Sequence, residues 1–261
     1  MAKPPLRLEL GPVSRIVLDR PEKHNAMSVE MGGLLRDAVA AINASESTRV
    51  VIVQGAGRAF CAGGDFDIIE ASSRQPAEDN RRRMLEFYGS FLSVLRVRVP
   101  IVAQIHGAAV GAGLALALAC DVRLAATEAK LGANFVRVGL HPGMGCSLLL
   151  PHVVGAAKAA ELIYTGQLID GAEAARIGLV NKAVPREALE SETSGVVGQI
   201  LKAAPIPVMQ AKATLMASLW SRVDEALNHE ANAQAIDFGT EDLREAVAAF
   251  RVGRAPVFSG R

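Results

Sequence analysis

The chain has 261 residues, half of them hydrophobic, so it can bury a substantial core as one domain or as one domain with a smaller appendage. Its formal net charge of +1 gives no electrostatic case for a nucleic-acid partner. No charged-then-apolar leader opens the chain and no apolar run is long enough to span a bilayer, so we expect a cytoplasmic protein that does not enter a membrane. The three cysteines, Cys61, Cys120 and Cys146, lack metal-ligand spacing, and we expect free thiols and no bound metal.

Strands and helices alternate over the first two thirds of the chain. Residues 6–10 and 15–19 flank Gly11-Pro12, which predicts a hairpin. After a loop, Ser28 is placed to cap a helix that runs to about residue 44. The polar, proline-containing segment 74–80 is typical of a mobile loop. The other predicted strands span 49–54, 100–105, 121–125 and 130–131, and the other predicted helices span about 80–97, 114–119 and 144–154.

The last third of the chain is predicted to be mostly helical. Helices are expected at 171–178, 185–202, 207–219, 223–238 and 241–251. The fold class is therefore an α/β core with a helical C-terminal part.

The segment 100–121, PIVAQIHGAAVGAGLALALACD, joins a buried strand to a buried helix through a turn of small residues. A helix that starts directly after such a turn directs the free amides of its first turn at one spot, where bulky side chains are absent. Converging amides of this kind can hold an oxyanion. Gly111-Ala-Gly113 also resembles part of a dinucleotide-binding loop, but Leu116 stands at the third glycine position and disfavours that alternative.

The chain resembles the crotonase, or enoyl-CoA hydratase/isomerase, superfamily in six blocks that follow the family's order. The blocks are RPEKHNAM (20–27), GRAFCAGGDF (57–66), HGAAVGAGLALALACD (106–121), LGANFVRVGLHPGMG (131–145), TGQLIDGAEAARIGLVNKAV (165–184) and FRVGRAPVFSGR (250–261). The resemblance implies a spiral of ββα turns over residues 1–200 and a helical trimerisation region at 201–261, which assembles a homotrimer or homohexamer. It also implies an acyl-CoA thioester as ligand, with coenzyme A as part of the substrate and no separate cofactor.

Two backbone amides polarise the thioester carbonyl in this family, and the resemblance assigns them to Ala62 and Ala112. Removal of an α-proton, or attack on the β-carbon, turns the thioester into an enolate whose charge gathers on the carbonyl oxygen. Amide donors in a dry site stabilise that charge. The position of the two amides therefore matters more than the type of residue that carries them.

Further contacts with coenzyme A follow from the same resemblance. Lys23, His24 and Ala26 are expected near its adenine and phosphate end, with Asp65 and Phe66 on the other side. The tail reads Gly253-Arg254 where relatives often carry a lysine before the arginine, so Arg254 is the candidate contact from a neighbouring subunit.

The carboxylates that transfer protons in this family are missing. The two glutamate positions of its hydratases correspond to Ala115 and Phe135, and the aspartate position of its isomerases and dehalogenases corresponds to Gly143. Tyr88 is a candidate to orient a substrate or pass a proton, with an aromatic pocket wall as the alternative. His141 beside the vacant loop position is a second candidate, although a histidine before proline is more often a surface or capping residue.

The acyl group is predicted to lie against Asn134, Phe135 and Met144. Two functions stay open at this point. The first is an enzyme that forms an enolate, most simply a lyase or isomerase with non-standard proton carriers. The second is a noncatalytic acyl-CoA binding or regulatory protein that kept the amides and lost the acid and base.

Overall fold

The computed structural model describes residues 3–261, which form nine strands and ten α-helices. The strands are β1 (Leu6–Glu9), β2 (Val13–Leu18), β3 (Val50–Gly55), β4 (Ile101–Ile105), β5 (Ala109–Val110), β6 (Val122–Ala126), β7 (Lys130–Gly132), β8 (Ile169–Asp170) and β9 (Lys182–Val184). The helices are α1 (Val29–Ala44), α2 (Phe66–Ser72), α3 (Ala77–Phe91), α4 (Ala112–Leu118), α5 (Cys146–Val154), α6 (Ala156–Thr165), α7 (Gly171–Arg176), α8 (Leu189–Lys202), α9 (Pro205–Asp237) and α10 (Glu241–Arg251). No helix within residues 3–261 combines the length and the apolar character needed to cross a bilayer.

The larger sheet has six strands in the order β1-β2-β3-β4-β6-β9. β1 and β2 pair antiparallel, which confirms the predicted hairpin, and the remaining neighbours pair parallel. Every residue of β4 is buried, and so are the first four of β3. Such continuous apolar runs are typical of parallel strands that are covered on both faces. The core therefore lies along the middle of this sheet.

The smaller sheet has three short strands in the order β5-β7-β8. β4 belongs to the larger sheet, β5 to the smaller sheet, and α4 follows directly, so this part of the chain makes one ββα turn. β6 and β7 repeat the two-strand step, and β7 lies parallel to β5 with Ala109 opposite Leu131. Successive turns are thus stacked, and the loops between the two sheets lie next to one another.

The C-terminal region contains one long helix where the sequence predicted two. α9 runs through 33 residues without a break. The segment between the two predicted helices, residues 220–222, contains neither glycine nor proline. The helix also lies against α3, where Arg81 donates to Asn232 Oδ1 at 2.7 Å and to Asn228 Oδ1 at 3.2 Å. The predicted boundary after residue 200 falls within α8 and stays a prediction, as does trimerisation.

The segment 74–80 was predicted as a mobile loop. In the structure, one buried side chain forms hydrogen bonds that hold most of it in place. Asn80 is 1% exposed, and its Nδ2 donates to the carbonyl of Ser72 at 2.8 Å and to that of Gln75 at 3.4 Å. α3 already begins at Ala77, and the preceding short helix α2 was not predicted. The polar residues of this segment predicted a loop, but they form a hydrogen-bonded turn between α2 and α3.

A buried carboxylate attaches α9 to the start of α5. Glu230 is fully buried, and its Oε2 accepts the Gly145 N–H at 2.6 Å. Its Oε1 accepts the N–H of Ser147 at 2.9 Å and the hydroxyl of the same residue at 2.6 Å. Negative charge at a helix N-terminus is favourable, although burial raises the pKa of Glu230 above its usual value. The contact holds the C-terminal region against the core.

We expect Glu230→Ala to lower the free energy of unfolding by about 1–3 kcal/mol, because three donors lose their buried acceptor. Urea denaturation followed by circular dichroism measures the change. Glu225→Ala, on an exposed position of the same helix, is the control and should change stability by no more than about 0.5 kcal/mol. Equal midpoints for Glu230→Ala and the unchanged chain would contradict the role given to this carboxylate.

Candidate active site

Two loops of small residues are joined by backbone hydrogen bonds. Cys61 donates its N–H to the carbonyl of Ala108 at 2.9 Å, and its own carbonyl accepts the N–H of Val110 at 3.1 Å. These bonds form a parallel bridge between Cys61 and Ala109. The loop that follows β3 is thereby fixed to the turn between β4 and α4.

Glycines permit this close approach. A Cβ added to Gly113 would overlap with the carbonyl oxygen of Cys61. Gly63 has a φ of +98°, a backbone conformation that favours glycine, and a Cβ there would lie 2.8 Å from the carbonyl oxygen of Val110. Any larger residue at either position would separate the two loops.

The free amide of the first loop belongs to Gly64 instead of Ala62. The Ala62 N–H donates to the carbonyl of His24 at 3.0 Å and is therefore occupied, which corrects the assignment made from the sequence. Gly64 forms a parallel bridge with Met27, in which Met27 donates to the Gly63 carbonyl at 2.8 Å. The N–H of Gly64 consequently points away from Met27. We find no acceptor for it among residues 3–261.

The free amide of the second loop belongs to Ala112. Ala112 is the first residue of α4, so its N–H has no acceptor within the helix. The preceding Gly111 has a φ of +56° and donates its own N–H to the carbonyl of Gly132 at 2.8 Å. Gly64 and Ala112 line the same cavity. The two bridged loops thus present one free amide each to a shared space.

The cavity brings most of the predicted acyl-end residues together. Its lining includes the predicted Tyr88, Asn134, Phe135 and Met144 together with both loops. Residues that the sequence analysis missed complete the wall, namely Ile68, Ile69, Met84, Phe87, Val138, Leu140, Gln234 and Phe238. These wall residues come from distant parts of the chain, so sequence spacing offered no signal for most of them. The cavity volume is about 90 Å³.

Tyr88 forms a buried hydrogen-bonded pair with Gln234. Its phenol donates to Gln234 Oε1 at 2.6 Å, and Gln234 Nε2 donates to the carbonyl of His141 at 2.7 Å. Burial raises the pKa of Tyr88 well above its usual value, and the negative charges of Glu230 and Asp237 raise it further. The phenol therefore stays protonated at neutral pH.

His141 is not brought to this cavity. Its backbone N–H donates to Asp237 Oδ2 at 2.6 Å, and its Nδ1 lies 2.7 Å from the carbonyl oxygen of Pro142. The residue lines a separate cavity beside α6. Only its backbone carbonyl reaches the cavity wall, through Gln234.

Asp65 and Lys23 form a charged cluster at the edge of the cavity. The Asp65 carboxylate accepts from Arg20 Nη2 at 3.0 Å, from Lys23 Nζ at 3.2 Å and from the N–H of Asp67 at 3.1 Å. Burial raises the pKa of Asp65, but these hydrogen bonds outweigh that effect and hold it below its usual value. Lys23 also reaches Asp67 at 2.6 Å, and 42% of its side chain is exposed. The Asp65 carboxylate thus holds the loop that carries Lys23 through these hydrogen bonds.

His24 and Ala26 lie in that same loop. His24 has a φ of +50°, and the Ala26 carbonyl accepts from Arg20 Nη1 at 2.8 Å. Asn25 between them is fully buried, has a φ of +58°, and donates to two carbonyls of the loop after β3 at 2.8 Å each. Asparagine tolerates this left-handed conformation better than most residues. The sequence analysis missed Asn25, which fixes the loop to the amide-bearing segment.

The C-terminal helix covers Phe66. The rings of Phe66 and Phe250 are stacked, with centroids 3.9 Å apart and planes at 4°. Arg254 pairs with Glu245 of α10, with Nη2 and Oε2 separated by 2.7 Å, and this contact lowers the pKa of Glu245 to about 2. Phe66 and Arg254 therefore both contact α10 of their own chain.

The family model for enoyl-CoA hydratase/isomerase matches residues 10–261. The chain belongs to this family. Crotonyl-CoA hydratase of Syntrophomonas wolfei subsp. wolfei is 33% identical over 241 residues, which cover 90% of this chain and 90% of that protein. An enoyl-CoA hydratase from Mycobacterium avium subsp. paratuberculosis K-10 superposes with a TM-score of 0.87 at 28% identity and covers 98% of each chain. A monofunctional enoyl-CoA isomerase from M. smegmatis superposes with a TM-score of 0.69 at 32% identity, covering 85% of this chain and 95% of that chain. The predicted crotonase-like spiral with a helical C-terminal region is confirmed.

In this member of the enoyl-CoA hydratase/isomerase family, the three positions that the resemblance assigned to carboxylates have different surroundings. Ala115 is fully buried in α4 and does not line the cavity, whereas Phe135 and Gly143 do. A Cβ on Gly143 would lie 2.7 Å from Gln234 Nε2 and 2.8 Å from Tyr88 Oη. The tyrosine–glutamine pair therefore occupies the space that a side chain at residue 143 would need.

Gly113→Ala should separate the bridged loops and lower the free energy of unfolding by about 1–3 kcal/mol, because the new methyl group overlaps with the Cys61 carbonyl. Thermal unfolding measures this. Gly33→Ala is the matched control, since nothing lies within 4 Å of its Cβ in α1. It should raise stability by up to about 1 kcal/mol. A Gly113→Ala protein as stable as the Gly33→Ala protein would contradict the proposed contact.

Tyr88→Phe should leave the tyrosinate absorbance of the native protein unchanged up to about pH 10.5, because Tyr88 remains protonated there. When both proteins are unfolded in urea, titration of the tyrosinate absorbance should show one ionising phenol fewer in the variant than in the unchanged chain. Since the unfolded chain releases a proton that the native chain retains, the contribution of Tyr88 to stability falls as pH rises above about 10. Loss of native absorbance in Tyr88→Phe below that pH would contradict the burial of the phenol.

Proposed function

We propose that this protein binds an acyl-CoA thioester with its carbonyl oxygen at the amides of Gly64 and Ala112, and that these amides stabilise the enolate. The proposal is supported by two backbone amides without a backbone acceptor, one from each bridged loop, whose residues line one apolar cavity. A preorganised donor of this kind contributes about 3–4 kcal/mol to the stabilisation of a developing oxyanion. Family membership supports a coenzyme A thioester as the ligand.

The protein acts as an enoyl-CoA lyase or isomerase with non-standard proton carriers. Alanine, phenylalanine and glycine stand where relatives carry carboxylates, at Ala115, Phe135 and Gly143. The neutral Tyr88 phenol is the ionisable group at the acyl end, and it is suited to hydrogen bonding more than to proton abstraction. Similar proteins bear the names of both a hydratase and an isomerase. Their names therefore do not select one of the two reactions.

Within residues 3–261 the cavity lining includes one carboxylate, Asp65, which is held at the cavity edge by Arg20 and Lys23, and this also favours a second candidate. In that alternative the protein binds acyl-CoA for regulation or transport and performs no proton transfer. Both candidates use the same amides and the same cavity. They differ in whether the α-carbon exchanges its protons with solvent.

The coenzyme A moiety is proposed to lie along the charged loop at the cavity edge. The exposed Lys23 ammonium can approach a phosphate, and the backbone of His24 and Ala26 flanks it. Arg254 is bound to Glu245 within its own chain, so a phosphate must compete with that carboxylate. The cavity volume of about 90 Å³ is far below the roughly 300–1,000 Å³ of sites for drug-sized ligands. We therefore assign a short acyl group.

We also propose a homotrimer or homohexamer in the cytoplasm. Large apolar side chains are exposed on the outer helices and the tail, among them Tyr164, Trp220, Val257 and Phe258. Such side chains are typical of surfaces that other subunits cover. The three free, buried thiols suit a reducing compartment.

Solvent exchange tests the enzyme against the binding protein. Short saturated acyl-CoA esters in D₂O should gain deuterium at the α-carbon in the presence of the protein, as followed by mass spectrometry. Gly113→Ala should lower the exchange rate by at least about 100-fold by displacing an amide, while Gly33→Ala should retain it. Tight binding without exchange would favour the noncatalytic alternative. Absence of binding would contradict both candidates.

A further inference from the structure

Two side chains at the acyl end retain unused hydrogen-bonding capacity. Tyr88 is 2% exposed and Gln234 is 4% exposed, and both line the cavity. The phenol donates its single proton to Gln234 Oε1, so its lone pairs remain able to accept. Gln234 Nε2 carries two protons, and one of them goes to His141. The pair therefore offers one acceptor and one donor side by side.

The orientation of this pair is determined by its surroundings. The backbone carbonyl of His141 can only accept a hydrogen bond, so the amide nitrogen of Gln234 must face it. The amide oxygen then faces Tyr88 and receives the phenol proton. The glycine at residue 143 leaves the space for this arrangement, because a Cβ there would lie within 2.8 Å of both groups. Neither side chain can rotate away without losing a buried partner.

The rest of the acyl wall is mostly apolar. Met84, Phe87, Phe135, Met144 and Phe238 surround the pair. Among the residues described, Asn134 is the other neutral polar side chain in the lining, and its Oδ1 lies close to Gly111 at the amide end. A polar group on the acyl chain that reaches the wall beside Gly143 would therefore meet the tyrosine–glutamine pair.

We infer that Tyr88 and Gln234 determine specificity for acyl groups that carry a hydroxyl, an inference that rests on the proposed function. A hydroxyl can donate to Tyr88 Oη and accept from Gln234 Nε2 at the same time, which matches the open positions of the pair. A keto oxygen can use only the glutamine, and an alkyl group leaves both positions unused. A polar site of this kind disfavours ligands that cannot form its hydrogen bonds.

Isothermal titration calorimetry with butyryl-CoA, 3-hydroxybutyryl-CoA and 4-hydroxybutyryl-CoA tests the assignment. The unchanged chain should bind one of the hydroxy esters about tenfold more tightly than butyryl-CoA. Tyr88→Phe and Gln234→Met should each remove that preference, so that the ratio of the two affinities falls from about tenfold to within about twofold of one. Tyr164→Phe, which alters the exposed tyrosine, is the matched control and should retain the preference.

Equal affinities for all three esters in the unchanged chain would overturn the specificity role while leaving the proposed function intact. A parallel loss of affinity for all three esters in both cavity variants would do the same, because it would mean that the pair is only structural. If one variant fails to fold, the other variant and the preference of the unchanged chain still show whether the pair determines specificity. Failure of every ester to bind would overturn the proposed function, and this assignment with it.

Discussion

The backbone bridge between Cys61 and Ala109 is the constraint on which the site depends. It joins two loops that are about 50 residues apart in the chain, and it does so at a separation that only glycine allows at Gly113. Backbone amides cannot be aimed by choosing a rotamer, so their direction follows entirely from the path of the chain. Holding two loops together by their own hydrogen bonds is a way to preorganise such donors before a ligand arrives.

A neutral acyl end accompanies these amides. Gly143, Tyr88 and Gln234 form one unit, since the pair fills the space beside the glycine and its hydrogen bonds are buried. A carboxylate in so apolar a place would carry a large desolvation penalty unless it were paired. The charged groups of the site are instead collected at the edge, around Asp65. The charged side chains thus lie at the entrance of the cavity, around Asp65. The hydrogen-bonding groups inside it, Tyr88 and Gln234, are neutral.

The C-terminal region contributes to the site as well as covering the core. α9 supplies Gln234 to the cavity and Glu230 to the start of α5, four residues apart on one helix face. α10 adds Phe250 against Phe66. The part of the chain that the resemblance associates with assembly therefore also shapes the cavity of its own chain.

Periodicity and block order in the sequence determined the fold class, the hairpin and the two loops, because these follow from local pattern. Tertiary structure decided which amide of the first loop is free, because Ala62 donates to His24 and Asp65 donates to Met27, while the Gly64 N–H between them points away from Met27. It also decided that Gln234 meets Tyr88, 146 residues away. Glu230 and Gln234 are polar residues on an apolar helix stripe with Leu227 and Ala231, which marks buried contacts. Their partners depend on how helices pack, and helix packing is not encoded in local spacing.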